Sequence, residues 1–157
     1  MAREYVFLSE WHVDAPQDQV FDVLVDSRTY PEWWSPPYLE GESSGPPEPG
    51  SVSRVKFKSK LPFVLTATSR LVRVDRPHEF EAEVGGDLRG VGVWTLRPAD
   101  GKVHVRFDWR VYADRPLLRY LSPVLRPLFR WNHTMAMRQA IRNLEPYVRR
   151  RAGLTAL

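Results

Sequence analysis

Between Ser51 and Ala113 the chain repeats one pattern five times, a run of alternating apolar and polar side chains closed by a turn signal, and then changes to helical periodicity over Leu117–Arg151. The runs are Ser51–Lys60, Phe63–Asp75, Glu79–Val84, Leu88–Arg97 and Lys102–Ala113. They are separated by Leu61-Pro62, Arg76-Pro77, Gly85-Gly86-Asp87 and Pro98-Ala99-Asp100-Gly101. A period of two gives each run one dry face and one wet face, and connections this short join antiparallel neighbours. The last run shows it plainly: Val103, Val105, Phe107, Trp109 and Val111 oppose His104, Arg106, Asp108 and Arg110.

The N-terminal part adds one strand and a short helix. Tyr5–Val13 alternates in the same way and predicts a sixth strand. Asp14-Ala15-Pro16 reads as a helix cap with proline at the first turn, and Val20, Phe21, Val23 and Leu24 recur at helical spacing as far as Asp26. After Tyr30-Pro31-Glu32-Trp33-Trp34, the segment Ser35–Gly50 is punctuated by proline and glycine and reads as an extended surface loop. In the C-terminal stretch, Phe129, His133, Ala136, Met137, Ala140, Ile141, Leu144, Tyr147 and Val148 share one side, with breaks expected near Pro123 and Pro127 and a kink at Pro146. That stripe must bury itself, and the dry face of the sheet is the one large surface available. The expected fold is therefore α+β: a curved six-stranded antiparallel sheet wrapped around a long C-terminal helix.

At 157 residues and 43% apolar content the chain is long enough for one domain, residues 1–157, with its own core. With no cysteine there is no disulfide framework, thiolate metal ligand or thiol nucleophile. No stretch approaches the roughly 20 apolar residues of a membrane span, which argues for a cytoplasmic protein without stable membrane insertion. From Pro116 onward eight arginines face one acid, Glu145, whereas the first 115 residues hold 15 basic and 18 acidic side chains. Such a tail is either a solvated helix face or a contact for nucleic acid, anionic lipid or an acidic partner. The solvated face is the simpler reading, and no nucleic-acid partner is expected.

Several segments, taken in order, resemble the START-like or helix-grip superfamily and within it the polyketide cyclase/dehydrase branch. They are Val13-Asp14-Ala15-Pro16 with Val20-Phe21, then Asp26 and Tyr30-Pro31-Glu32-Trp33, Val74-Asp75-Arg76-Pro77, Gly90-Val91-Gly92-Val93-Trp94-Thr95-Leu96, and Trp131-Asn132-His133 with Met137. The resemblance implies a cavity between sheet and long helix that takes a small hydrophobic ligand. Superfamily members share the cavity rather than one reaction.

Trp11, Trp94 and Trp109 are expected on the inner surface, with Trp34 at the opening and Phe57, Phe80, Phe129 and Met137 completing an apolar lining. Each aromatic side chain fits a packed core as readily as a ligand contact. Gly92 shares a face with Gly90, Trp94 and Leu96 and marks either a bend in the sheet or a close approach. His133 interrupts the apolar stripe and suits a hydrogen bond to a ligand, a general base, or a bond inside the protein. The four histidines show no paired metal-ligand spacing, and there is no serine elbow, phosphate loop or dinucleotide fingerprint, so no metal and no cofactor is expected. Trp131 and Met135, on the arginine-rich side, pack under the Leu117–Leu125 segment or form a homodimer or membrane contact. The reading is a binding or transport protein for a lipid, isoprenoid or polyketide-like molecule. The alternatives are a cyclase/aromatase using His133 as acid and base, and an interaction module using the basic helix.

Overall fold

A computed structural model describes residues 3–34, 38–57, 64–86, 89–113 and 122–153. The elements are β1 (Arg3–Val13), α1 (Gln17–Val25), a 3-10 turn (Ser27–Thr29), α2 (Tyr30–Trp33), β2 (Tyr38–Ser43), β3 (Val52–Phe57), β4 (Leu65–Asp75), β5 (Glu79–Gly86), β6 (Arg89–Ala99), β7 (Lys102–Ala113) and α3 (Ser122–Arg151). The strands form one antiparallel sheet in the order β1-β7-β6-β5-β4-β3-β2. From β2 to β7 each strand pairs with its chain neighbour, as short connections require. β1 instead joins β7 along its whole length, from Arg3 opposite Ala113 to Val13 opposite Val103.

The sheet has seven strands, not six, and the additional one lies inside the segment expected to be loop. Prolines 36, 37, 46, 47 and 49 flank Tyr38–Ser43 but leave it proline-free, so its backbone can complete a ladder with β3. The break expected at Pro127 is also absent, and the one near Pro123 falls at the start of the helix, beside residues outside those described. α3 runs through Pro127 and Pro146, each of which forfeits only its own i−4 bond. Both prolines are exposed, where water reaches the carbonyls left without a partner. Asp14 is not a cap either. Pro16 occupies that position without a side-chain bond, and Asp14 ties β1 to α3: its N–H donates to Glu145 Oε1 at 2.6 Å and its carbonyl accepts from Arg149 Nη1 at 2.8 Å.

The outer face carries the charges. Glu79, Glu81 and Glu83 of β5 do not adjoin Arg106 and Arg110 of β7, because β6 intervenes. Their partners are on β4, with Arg73 at 2.7 Å from Glu79 and Arg70 at 2.8 Å from Glu83. These exposed pairs set register more than they stabilise.

The inner face is built in rows by the register. Phe80, Trp94 and Phe107 stand opposite one another on β5, β6 and β7. Their rings stack, with centroids 6.0 and 4.1 Å apart and planes within 15°. The next row reads Phe7, Trp109, Gly92, Ala82 and Leu71. Gly92 is small because a Cβ there would meet Phe107 Cε1 at 3.2 Å and Trp109 Cε3 at 3.3 Å. Gly90 is more demanding still, since a Cβ would overlap the carbonyl oxygen of Arg110. The hairpin between β6 and β7 turns at Asp100-Gly101, both at positive φ, as a two-residue turn of this kind needs.

Met137, Ala140, Leu144, Tyr147 and Val148 of α3 pack onto this face together with Val20, Phe21, Val23 and Leu24 of α1. Among the described residues no helix is long and apolar enough to cross a membrane. Gly90→Ala is expected to destabilise the fold by about 1–3 kcal/mol or more. Gly85→Ala, whose Cβ would meet nothing within 4 Å, should stay within about 0.5 kcal/mol. Urea unfolding of the two variants checks the difference.

Candidate functional site

The apolar stripe of α3 carries one imidazole to the inner face. His133 stacks on Phe7 of β1 at 4.1 Å between centroids and 26° between planes. The residue is half-buried, but its Nε2 is sealed from solvent and has no hydrogen-bond partner among the described residues. Burial lowers its pKa from 6.5 to about 4, so the ring is neutral at physiological pH. A second polar atom is stranded farther along β1. Trp11 Nε1 is buried without an acceptor, while the ring meets Trp94 edge-on at 6.1 Å. Buried donors and acceptors are nearly always paired, so two orphans on the same face are informative.

Between these points lies a floor of contrasting size. The stacked row of Phe80, Trp94 and Phe107 is bulky, whereas the adjoining positions Gly92, Ala82 and Gly90 are small. Trp109 leans over Gly92 and remains half-buried. A hydrophobic wall with few polar atoms is what an apolar ligand requires.

The expected lining divides into three groups. Trp11, Trp34, Phe80, Trp94 and Met137 all belong to the packed core. Trp34 is 3% exposed and donates its Nε1–H to the Ala136 carbonyl at 2.7 Å, anchoring α2 to α3. His133 and Trp109 keep partly open faces, and Gly92 is covered by aromatic rings. Phe57 is placed by its backbone opposite Tyr38 and Leu65, and Phe129 lies in α3; their side chains fall outside the described residues. Phe7 and Phe107 were legible as inward-facing. Their contacts with His133 and Trp94 depend on the β1–β7 and β6–β7 registers, which no local pattern reports.

Trp33 and Tyr30 support the wall from behind. Trp33 stacks on Trp34 at 5.1 Å and donates to Thr29 Oγ1 at 3.0 Å, and Tyr30 donates to the Leu24 carbonyl at 2.5 Å. On the far side of Trp33 an open recess of about 150 Å³ is bordered by Glu32, Asn143, Pro146 and Arg150. Its size and polar rim fit an apolar ligand poorly. Beside it Tyr147 donates to Glu32 and accepts from Arg151 Nη1 at 3.0 Å.

His12 and His104 meet across β1 and β7 at 5.2 Å, on the outer face, with Glu10 3.7 Å from His104. No group of three metal-ligating side chains able to hold an ion occurs among the described residues.

A family model described as "Polyketide cyclase / dehydrase and lipid transport" matches residues 7–149. Among curated proteins the chain has no match. Solved structures share the fold at low identity. The di-domain ARO/CYC BexL aligns with a TM-score of 0.73 at 17% identity, covering 92% of this chain, which spans about half of the BexL chain (50%). The Zhui aromatase/cyclase from Streptomyces sp. R1128 aligns at 0.71 and 17%, over 98% of this chain and 100% of that one. A point mutant of norcoclaurine synthase from Thalictrum flavum, in complex with a transition-state analogue, aligns at 0.64 and 15%, over 97% and 98%.

The depressed pKa of His133 has a consequence for stability. Below pH 6.5 the unfolded chain takes up a proton that the folded state refuses until about pH 4. Stability is therefore full above pH 6.5 and falls as pH drops through that window, by up to about 3 kcal/mol from this residue. His133→Phe should flatten the difference between urea midpoints at pH 7 and pH 5. An unchanged slope in the variant would place the titration elsewhere.

Proposed function

The chain belongs to the polyketide cyclase/dehydrase and lipid-transport family, and from that premise we propose that it binds a small hydrophobic molecule between the inner face of the sheet and α3. The observation that carries the reading is the buried, partnerless Nε2 of His133 on an otherwise apolar surface. Leaving a buried polar atom unpaired costs about 1–3 kcal/mol, a cost removed when a bound hydroxyl or carbonyl supplies the partner. His133 then orients the ligand, while Phe7 and Trp109 supply its apolar bed. Trp11 Nε1–H offers a second point of attachment for an oxygen. The ligand class is an apolar skeleton bearing one or two oxygens, such as an isoprenoid, a polyketide-like ring system or a fatty acid.

A second reading is supported by likeness to aromatase/cyclases, namely proton transfer by His133 at an enolisable carbon. Its pKa counts against that role, because a general base works best with a pKa near the operating pH, and about 4 lies well below it. A neutral ring of this kind is better suited to hydrogen bonding and positioning.

Delipidated protein should take up an apolar fluorescent probe saturably, with one site per chain. His133→Phe, which keeps an aromatic ring against Phe7, should weaken binding of a carbonyl-bearing ligand about tenfold and leave a pure hydrocarbon probe unaffected. The absence of saturable uptake by folded protein would overturn the reading. Turnover of a poly-β-ketone substrate that vanishes in His133→Phe would favour the enzyme instead.

A further inference from the structure

We propose that the solvent-facing side of α3 is a docking surface for an anionic lipid bilayer. The proposal concerns the opposite side of the helix from His133 and does not depend on what the inner face binds.

The first observation is a pair of large apolar side chains where none is needed for packing. Trp131 is 51% exposed and Ile141 is 43% exposed. They share a solvent-facing arc of the helix with Arg130, Arg138 and Arg142, all exposed. Ten residues of helix put the two apolar side chains about 15 Å apart along the axis, so the stripe is long enough to lie flat on a surface.

The second observation is electrostatic. Elsewhere several exposed arginines have acids, Arg70 with Glu83, Arg73 with Glu79, and Arg76 with Asp22 at 2.7 Å, while Arg54, Arg97 and Arg106, without an ion pair among the described residues, are scattered over three strands rather than gathered along one helix. Among the described residues Arg130, Arg138 and Arg142 make no ion pair or hydrogen bond. The one acid in α3, Glu145, is taken up by the backbone N–H of Asp14 at 2.6 Å. The contrast follows from composition, since residues 116–157 carry eight arginines against that single acid.

Unpaired arginines interleaved with an exposed tryptophan and an aliphatic side chain match the chemistry of a bilayer interface. There the guanidinium groups meet anionic headgroups, the indole sits at headgroup depth and the aliphatic chain reaches the acyl boundary. RNA would use the arginines and could stack on Trp131, but it offers nothing to Ile141. The contact is peripheral, in keeping with the absence among the described residues of a helix able to span a membrane.

The test is co-sedimentation of the full chain with vesicles of phosphatidylcholine alone and with about one-third phosphatidylglycerol. Binding is expected to the anionic vesicles only, and to be lost as salt is raised from about 0.1 M to about 1 M, where charges are screened within a few ångströms. Each arginine near an anionic surface is worth about fivefold. Arg130→Gln, Arg138→Gln and Arg142→Gln combined should therefore lower partitioning about a hundredfold. Trp131→Ala should lower it several-fold without lowering the melting temperature, because the residue is exposed, and brominated acyl chains should quench wild-type fluorescence more than that of Trp131→Phe. Equal binding to both vesicle types, or variants that bind like wild type, would overturn the proposal. So would arginine-dependent binding to single-stranded RNA without vesicle binding, or a dimer abolished by Trp131→Ala in a chain that ignores vesicles.

Discussion

The stacked row of Phe80, Trp94 and Phe107 is the contact on which the remaining architecture rests. These three rings come from adjacent strands and stack with nearly parallel planes, so they fix the local register of β5, β6 and β7. They also form an apolar ridge that other elements must cover. α1 reaches it through Phe21, edge-on to Phe80 at 5.4 Å, and α2 through Trp34, edge-on to Trp94 at 6.3 Å. Aromatic surfaces of this size dominate the energetics of a core, and edge-on approaches add directional preference to simple burial.

The same row divides the interior into a dense part and a permissive part. On one side Val13, Leu96, Val103 and Val105 meet Leu144 and Val148, all nearly inaccessible. On the other the sheet places Gly92 under Trp109, and α3 contributes an imidazole rather than an aliphatic side chain. An aromatic side chain without the nitrogen would keep the stacking on Phe7 and lose no hydrogen bond at Nε2, which bonds to no described residue. Retaining a polar atom there costs stability, and that cost is what makes His133 the most informative residue of the interior.

α3 joins the two functional readings because its two sides face different solvents. Its inner stripe is apolar apart from His133, whereas its outer arc combines unpaired arginines with Trp131 and Ile141. The helix is held in place at its C-terminal end by Asp14, whose N–H and carbonyl bind Glu145 and Arg149, and near its middle by the Trp34 bond to Ala136. Ordered in this way, it can present both faces at once.

The alternation in β1 and in β3 to β7, the helical stripe of α3 except Ile141, which lies at its edge and is exposed, and the antiparallel pairing of successive strands were legible in the sequence, because each depends on neighbours a few residues apart. So was the inward placement of Trp11, Trp94 and His133, by the same parity. β2 was not legible: prolines on both sides masked six residues whose strand character comes from the edge of β3. The partners of Glu79, Glu81 and Glu83 were not legible either, because they depend on strand order, a long-range property that places β4 beside β5 and β6 between β5 and β7. Which aromatic rings are sealed in the core was likewise decided by packing, as the burial of Trp34 against α3 shows. Local periodicity determines what a segment can form and which face it hides. Only the three-dimensional arrangement decides which hidden groups meet, and it left His133 against Phe7 with a nitrogen unpaired.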